Sequence, residues 1–257
     1  MDVVCEAGFR MIELVPHLYG DPEQFNKNMR EKLKEKLSRF EMVTIHSSEA
    51  KISDGRRINL ASSEASYRRK SIENYLKHVQ LALDVGAKVV TFHPTGIHEK
   101  ANFARVREAH LAFARKAIEM TQDSDILMGY EFFDRDLTKE IGHPRFGILF
   151  DIGHAAMQAE ENITREILHM LDEMSQFIVQ FHVHGVQVSD QGKKKDHQPF
   201  HLNNGIDYKK ILKTIKRYGF AVPLIFEIGI WNHENMAGNL KDTVSSREEF
   251  VAMWEKD

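Results

Sequence analysis

The sequence contains little cysteine and no long apolar run. Its single cysteine, Cys5, cannot form an internal disulfide bond, so we expect a reducing, cytoplasmic setting. No apolar run approaches the ~20 residues that a membrane-spanning helix needs. The N-terminus also lacks the basic stretch followed by an apolar run that marks a signal peptide. We therefore expect no association with a membrane.

The chain also lacks a strong excess of positive charge. Its formal net charge is -3 over 257 residues, and its hydrophobic (42%) and charged (28%) fractions are ordinary for a globular protein. A nucleic-acid-binding protein usually carries a strong basic field, so that role would depend on a local basic patch. No linker, low-complexity segment or repeat divides the chain, and we expect one domain over residues 1–257.

Seven short apolar runs alternate with longer polar segments that have helical periodicity. The runs are Arg10–Val15, Met42–His46, Lys88–His93, Ile126–Glu131, Gly147–Asp151, Phe177–His184 and Val222–Glu227. Nearly continuous apolar runs are typical of parallel strands that are buried on both faces. Their alternation with helices predicts an α/β fold, a (β/α)8 barrel of the TIM type.

The helical segments have recognisable ends. They are Pro22–Phe40, with Asp21 as its N-cap, Ser63–Val85, Asn102–Met120, Asn162–Met174, Asp207–Tyr218 and Ser246–Glu255. Gly86 and Gly219 are expected C-caps, and a short helix or a turn is expected between Phe132 and Phe146. Asp2–Ala7 looks like the tail of a helix, so the barrel is expected to lack its first strand or to have it truncated. The first strand then lies upstream, or a loop or partner covers the gap.

Potential metal ligands and acid–base groups follow the strands. They are Glu13, His46, His93, Glu131, Asp151, His154, His182, His184 and Glu227, with His201 in the loop HLNNGID. In a barrel of this type, the carboxyl ends of the strands form the active-site face. Clustered carboxylates are costly to desolvate there unless a cation supplies opposite charge. Histidine with carboxylate suits Zn, Mn, Fe or Co, and a carboxylate-rich set favours Mn or Mg.

Each of these residues also has a structural explanation. A single histidine at a strand end is more often structural than a ligand, but that explanation would have to hold at seven strand ends at once. For Glu13 the two roles are evenly balanced. Lys193–Lys195 is interpreted as a solvated loop, with phosphate contact as the alternative. The remaining histidines that we interpret as surface or packing residues are His17, His78, His98, His110, His143, His169 and His233.

The motifs HPTG, GYEFF, DIGH, HVHG, HLNNGID and FEIG resemble the xylose-isomerase-like TIM-barrel superfamily over nearly the whole chain. That group includes sugar and sugar phosphate isomerases and epimerases and the endonuclease IV family. The resemblance to the epimerase branch implies one divalent metal, Mn, Mg, Co or Zn. Its implied ligands are Glu131, Asp151, His184 and Glu227, and the two glutamates are also the implied catalytic acid and base. The expected substrate-binding residues are His46, His93, His154, His182 and His201.

The first functional hypothesis is therefore isomerisation or epimerisation of a small sugar, sugar phosphate or related polyol-ketose. The metal would stabilise an enediolate, and the two glutamates would exchange the proton. The branch commonly has an arginine a few residues after its metal histidine, and Asp190 stands in that region here. The oligomeric state stays open, a homo-oligomer included.

The alternative is an endonuclease IV-like zinc phosphodiesterase that acts at abasic sites in DNA. That branch uses three zinc ions and nine ligands, eight of which have matches here: His46, His93, Glu131, Asp151, His154, His184, His201 and Glu227. The position of the ninth ligand holds Pro199, with Asp196 as the nearest acid, and Phe132 and Phe133 replace a polar, glycine-rich continuation. A third hypothesis is a barrel that binds a ligand without catalysis and holds no metal.

Overall fold

The computed structural model describes residues 1–16, 25–47, 55–95, 103–131, 134–229 and 235–256. The chain divides into two compact units, Met1–Leu149 and Phe150–Asp257. The expectation of one domain stays a prediction. Within the described residues, no helix combines the length and the apolar character needed to cross a membrane.

The first unit alternates helices with parallel strands. Its elements are α1 (Asp2–Glu6), β1 (Met11–Leu14), α2 (Lys27–Leu37), β2 (Met42–Ser47), α3 (Ala65–Val85), β3 (Val89–Phe92), α4 (Phe103–Met120), β4 (Leu127–Tyr130), α5 (Arg135–Ile141) and the start of β5 (Phe146–Asp151). Each strand pairs in parallel with the next one along the chain, from β1 to β5. The carboxyl ends of β1 to β4 therefore lie side by side.

Aromatic side chains fill the core of the first unit. Phe92 on β3 packs edge-on against Phe113 of α4, with ring centroids 4.8 Å apart. Tyr75 of α3 contacts both rings, and Tyr130 of β4 contacts Phe92. Such pairs add to the free energy gained from area burial alone, and they fix helices α3 and α4 against the sheet.

The second unit begins with the end of β5. Its further elements are α6 (Ile152–Gln158), α7 (Ile163–Met174), β6 (Ile178–Val183), β7 (Gly185–Val188), β8 (Lys194–Gln198), α8 (Tyr208–Tyr218), β9 (Leu224–Phe226) and α9 (Met236–Glu255). β6 and β9 are parallel neighbours, whereas β7 and β8 form an antiparallel hairpin. Phe200 stacks on Tyr208 with ring centroids 4.4 Å apart, and Ile211, Leu212 and Ile215 of α8 are buried.

The predicted strands are confirmed to within two residues at each end, and the described residues contain seven parallel strands with a helix before the first. Gly86 and Gly219 end α3 and α8 in the left-handed conformation, as predicted. The predicted start of the second helix is wrong: α2 begins at Lys27, because Asn26 accepts a hydrogen bond from the amide of Met29. Asp21 and Pro22 lie outside the described residues.

Two further predictions about the elements need correction. The last helix begins at Met236 and not at Ser246, because Asn235 caps it by accepting from the amide of Gly238. Helix α6 and the hairpin β7–β8 are not among the predicted elements. The short segment predicted before Phe146 is confirmed as the seven-residue helix α5.

Candidate functional site

In the first unit, the ends of three neighbouring strands bring together His46, His93 and Glu131, here called the glutamate cluster. His46 lies on β2, and His93 and Glu131 directly follow β3 and β4. Two backbone hydrogen bonds, from the amide of His93 to Ser47 and from that of Glu131 to Phe92, extend the sheet to these residues. The parallel register therefore places all three side chains at one edge of this unit.

The two histidines of the glutamate cluster contact the same carboxylate oxygen. Nε2 of His46 lies 3.2 Å and Nε2 of His93 lies 2.9 Å from Oε2 of Glu131. Nδ1 of His46 is held by the hydroxyl of Thr91 at 2.8 Å. One ligand atom from each member lies within 4.8 Å of the others, a spacing that suits a cation or a polar substrate group. Glu13, in contrast, accepts a hydrogen bond from Thr44 of the neighbouring strand.

In the second unit, Asp151 connects a strand to a helix. It is fully buried at the end of β5, and its Oδ1 caps α6 by accepting the amide of His154 at 2.6 Å. The capping turn brings His154 back towards the carboxylate, with Nδ1 3.4 Å from Oδ2. Nε2 of His184 approaches Oδ1 from the other side at 3.1 Å. The spacing of the DIGH motif is thus that of a helix N-cap.

The charge of Asp151 is stabilised by histidines. Burial alone raises the pKa of this carboxyl, but the charges of His184 and His154 outweigh burial and hold the pKa well below its usual range. For His184 the effect of burial is the opposite, because burial alone lowers the pKa of an imidazole. The adjacent charge of Asp151 outweighs burial and leaves the pKa of His184 raised overall. Asp151 is therefore an ionised carboxylate at neutral pH.

A buried row of polar contacts leads to Glu227, the residue after β9. The amide nitrogen of Gln180 lies 3.2 Å from Nε2 of His182. An amide nitrogen only donates, so Nε2 accepts and the ring proton of neutral His182 resides on Nδ1. That nitrogen lies 3.0 Å from Oε2 of Glu227. His182, predicted to contact substrate, is fully buried and orients the Glu227 carboxylate.

Asp151, His184 and Glu227, here called the aspartate cluster, have the donor set of a divalent-metal site. Their ligand atoms lie within 4.8 Å of one another. Oδ2 of Asp151 and Nε2 of His184 are buried, and within the described part of the chain neither makes a well-directed hydrogen bond, although Nε2 lies 3.1 Å from Oδ1 of Asp151. Buried polar atoms are rarely left so, and a cation between carboxylates and an imidazole would satisfy them. The residues present therefore fit a divalent metal.

Gly153 provides room for the aspartate cluster. A Cβ atom at this position would lie 1.9 Å from Cε1 and 2.2 Å from Nδ1 of His184. No side chain fits there while the imidazole holds its place. The glycine of the DIGH motif is thus explained by close approach of a ring, not by an unusual backbone angle.

The sequence analysis missed His197, on β8 of the hairpin. Its side chain is only 3% exposed. Its ring stacks on that of His184, with centroids 4.2 Å apart and an interplanar angle of 27°. Burial lowers the pKa of His197, and the neighbouring charge of His184 lowers it further. The signal that could have found it is its position directly after Asp196, within a run of polar residues that follows HVHG.

His201, by contrast, is exposed on a 3-10 turn, Phe200–Leu202, and joins none of the ligand groups formed by the described residues. Asp196 instead approaches His154, with Oδ2 3.8 Å from Nε2. The role predicted for His201 in substrate binding stays a prediction. The endonuclease pattern has an acid at position 199, which is proline here. On the hairpin, a carboxylate near His154 is supplied by Asp196 instead.

The interpretation of Lys193–Lys195 as a solvated loop is wrong in part. Lys194 and Lys195 belong to β8, and Nζ of Lys194 donates to the carbonyl oxygens of Ala156, at 2.9 Å, and Ala159 at the end of α6. These carbonyls have no partner within the helix, and a cation suits the negative end of its dipole. Lys194 thus caps α6.

Several other histidines confirm the packing interpretation. His78 and His110 are fully buried in helices α3 and α4. Nδ1 of His78 donates to the carbonyl of Asn74 at 3.0 Å, and Nε2 of His110 to that of Thr95 at 3.2 Å. His169 lies exposed on α7, and His143 accepts a hydrogen bond from the amide of Arg145 in the turn after α5. His17, His98 and His233 lie outside the described residues.

The chain is similar to a known protein family and to one protein of known sequence. A family model described as xylose isomerase-like TIM barrel matches residues 1–249. An uncharacterised protein of Methanocaldococcus jannaschii is 24% identical over 264 residues, which cover 96% of this chain and 81% of that protein.

Among solved structures, a D-tagatose 3-epimerase-like protein is 21% identical with a TM-score of 0.74, covering 100% of this chain and 93% of its own. A D-psicose 3-epimerase of Clostridium cellulolyticum H10 with D-tagatose is 12% identical with a TM-score of 0.72, covering 98% and 92%. The IOLI protein with a bound zinc atom is 12% identical, with a TM-score of 0.72, covering 99% and 91%. At these identities the likeness is one of fold, and the predicted TIM-type fold class is confirmed.

Proposed function

Because the chain belongs to the xylose isomerase-like TIM barrel family, we propose that it is a divalent-metal-dependent isomerase or epimerase. Its substrate would be a small sugar, sugar phosphate or related polyol-ketose. The observation that carries the proposal is the aspartate cluster, with its buried Asp151 and His184 atoms and the space that Gly153 leaves for a ring. Sugar epimerases and a zinc-bound protein among the similar folds support it.

We assign the metal to Asp151, His184 and Glu227, with Glu131 as the fourth ligand on the strength of the sequence resemblance. Mn, Mg, Co and Zn all suit carboxylate and imidazole donors. When bound, a divalent cation would supply positive charge that stabilises negative charge developing on neighbouring substrate oxygens. The ionised state of Asp151 favours this binding, because a protonated carboxyl would have to lose its proton first.

Glu227 is assigned as one of the two acid–base groups. Nδ1 of His182 lies 3.0 Å from Oε2, and this buried contact holds the carboxylate in one orientation. A carboxylate so held can accept a proton from a carbon next to a carbonyl, which is the first step of both isomerisation and epimerisation.

Glu131 is assigned as the second acid–base group. His46 and His93 both approach its Oε2, and the two contacts fix the direction of the carboxylate. Epimerisation needs a proton to be removed from one face of a carbon and delivered to the other, so two carboxylates with separately fixed orientations suit it. His46 and His93 would also offer hydrogen bonds to substrate hydroxyls.

The test combines metal analysis with proton exchange. The purified protein should contain about one divalent ion per chain, and it should catalyse exchange of a carbon-bound proton of a ketose with deuterium from solvent. Glu227→Gln should lower the exchange rate by at least ~10²-fold, the typical contribution of a positioned base. Full turnover with full metal content in that variant would contradict the mechanism.

The glutamate cluster favours one second candidate, a zinc phosphodiesterase of the endonuclease IV type. His46, His93 and Glu131 form a ligand group of their own, which a one-metal enzyme does not require. The net charge of -3 and Pro199 at the ninth ligand position weigh against it. Three tightly bound zinc ions per chain, together with cleavage of a duplex at an abasic site, would establish this candidate in place of the first.

A further inference from the structure

His197 has an unusual backbone conformation. Its φ is +51°, and it is the sole residue other than glycine with a positive φ in the part of the chain that the structure describes. A side chain with a Cβ adopts this region rarely, and such strain persists only where surrounding contacts determine it. The contacts of His197 therefore hold it in this conformation.

Those contacts connect β8 to two residues of the aspartate cluster. The backbone amide of His197 donates to Nδ1 of His184 at 2.9 Å, beneath the stacked pair of rings. Its own Nδ1 lies 3.0 Å from the carbonyl oxygen of Glu227, which can only accept, so this nitrogen carries the proton. Its carbonyl oxygen in turn accepts the amide of Gly229 at 3.0 Å. One residue thus holds a ring after β6 and the backbone after β9.

We propose that His197 is a positioning residue that sets His184 and Glu227 in the arrangement needed to bind a divalent cation. This rests on the proposed function in so far as both residues are the metal ligands assigned above. The bond to Nδ1 fixes the rotation of the His184 ring and directs Nε2 towards Asp151. The bond to the Glu227 carbonyl fixes the point from which the Glu227 side chain leaves the backbone.

Two substitutions separate these contacts from general packing. His197→Gly adopts positive φ without strain but removes the ring and its donor. His197→Asn also tolerates positive φ, and its amide nitrogen can take the place of Nδ1 as donor to Glu227. His169→Asn, on the exposed face of α7, is the matched control. Affinity for Zn²⁺ by chelator competition and the visible spectrum of bound Co²⁺ are the measurements, with thermal unfolding to verify folding.

We expect His197→Gly to bind Zn²⁺ ~10–100-fold more weakly, as is typical when a residue that orients ligands is lost. Its Co²⁺ spectrum should change, while His197→Asn should recover most of the affinity and the control should match the wild type. Unchanged affinity and spectrum in His197→Gly would overturn the proposal. An equal loss in both variants would also overturn it, because the donor to Glu227 would then not matter.

A further measurement separates this inference from the proposed function. The ¹⁵N signals of the His184 ring in the metal-free protein report whether Nδ1 accepts a hydrogen bond. His197→Gly keeps the backbone amide that donates to Nδ1. Its His184 signals should therefore move towards those of a nitrogen that accepts no bond only if the lost His197 side chain held that amide in place, and His169→Asn should leave them unchanged. If the wild type binds no divalent ion, the proposed function fails. The His184 signals then decide the positioning role: a shift supports it, and no shift overturns it.

Discussion

Replacing Gly153 with alanine should misplace the His184 ring. The new Cβ would lie 1.9 Å from Cε1 of the ring, whereas non-bonded carbon atoms approach to about 3.5–4.0 Å. The ring would have to move by roughly 1.5–2 Å. It is fully buried, stacked on His197 and bound at Nδ1, so it cannot move without losing these contacts.

Two opposing terms determine the free energy of unfolding of this variant. Gly153 lies in the first turn of α6, where alanine is favoured over glycine by up to ~1 kcal/mol. Overpacking in a filled core costs ~1–3 kcal/mol. We therefore expect Gly153→Ala to lower stability by about 0–3 kcal/mol, the difference of the two. Its metal affinity should fall further, by ~10–100-fold, because the ring is itself a proposed ligand.

A double-mutant cycle isolates the contact between Gly153 and His184. In a His184→Ala background the ring is absent, and Gly153→Ala should then raise stability by up to ~1 kcal/mol, through helix propensity alone. The assay is equilibrium unfolding in urea, with the midpoint compared at constant slope. If Gly153→Ala lowers stability equally in both backgrounds, close approach of the ring is not the reason for the glycine.

Three further predictions concern single residues. Burial lowers the pKa of His110 to about 4, so the unfolded chain takes up a proton at this residue at a higher pH than the folded protein does. The free energy of unfolding should therefore drop by about 2 kcal/mol between pH 7.5 and 5. Urea unfolding of His110→Gln should show a shallower pH dependence of this free energy. His182→Phe should lower kcat by ~10–100-fold through loss of the polar contact with Glu227, with KM nearly constant; steady-state kinetics that show the reverse would argue against the orienting role. Lys194→Met should lower the midpoint of thermal unfolding by an amount equivalent to ~0.3–1 kcal/mol, the contribution of a cation at a helix terminus, while Zn²⁺ content stays at the wild-type value.

The sequence predicted the strands and their terminal residues well, because both depend on local pattern. A run such as Gly147–Asp151 is apolar throughout, and only a buried parallel strand accommodates such a run easily. The polar residue that ends it then has a known location, the carboxyl end of the strand. Asp151 was found in this way, and so was the spacing to His154.

The missed elements depend on contacts distant in sequence. β8 is rich in lysine and carries no apolar alternation, so nothing local distinguishes it from a solvated loop. Its position is determined by Lys194 at the end of α6 and by His197 against His184. Helix α6 has only seven residues and follows β5 without a break, and its N-cap, Asp151, had already been interpreted as a ligand. Because Asp151 fits the pattern of a ligand at a strand end, its second role as a helix N-cap is not evident from the sequence.

The hairpin β7–β8 is anchored along both strands: β7 bonds to Asn203 and Asn204, and β8 carries Lys194 and His197. Lys194 and His197 are separated by two residues, and both make buried or partly buried contacts. The tip, residues 189–193, carries exposed side chains and a left-handed glycine, Gly192. Insertions at such a tip cost mainly loop-closure entropy, about 0.6 kcal/mol for each doubling of loop length. Related sequences can therefore carry a longer tip with different contacts, while the spacing from Lys194 to His197 stays constant.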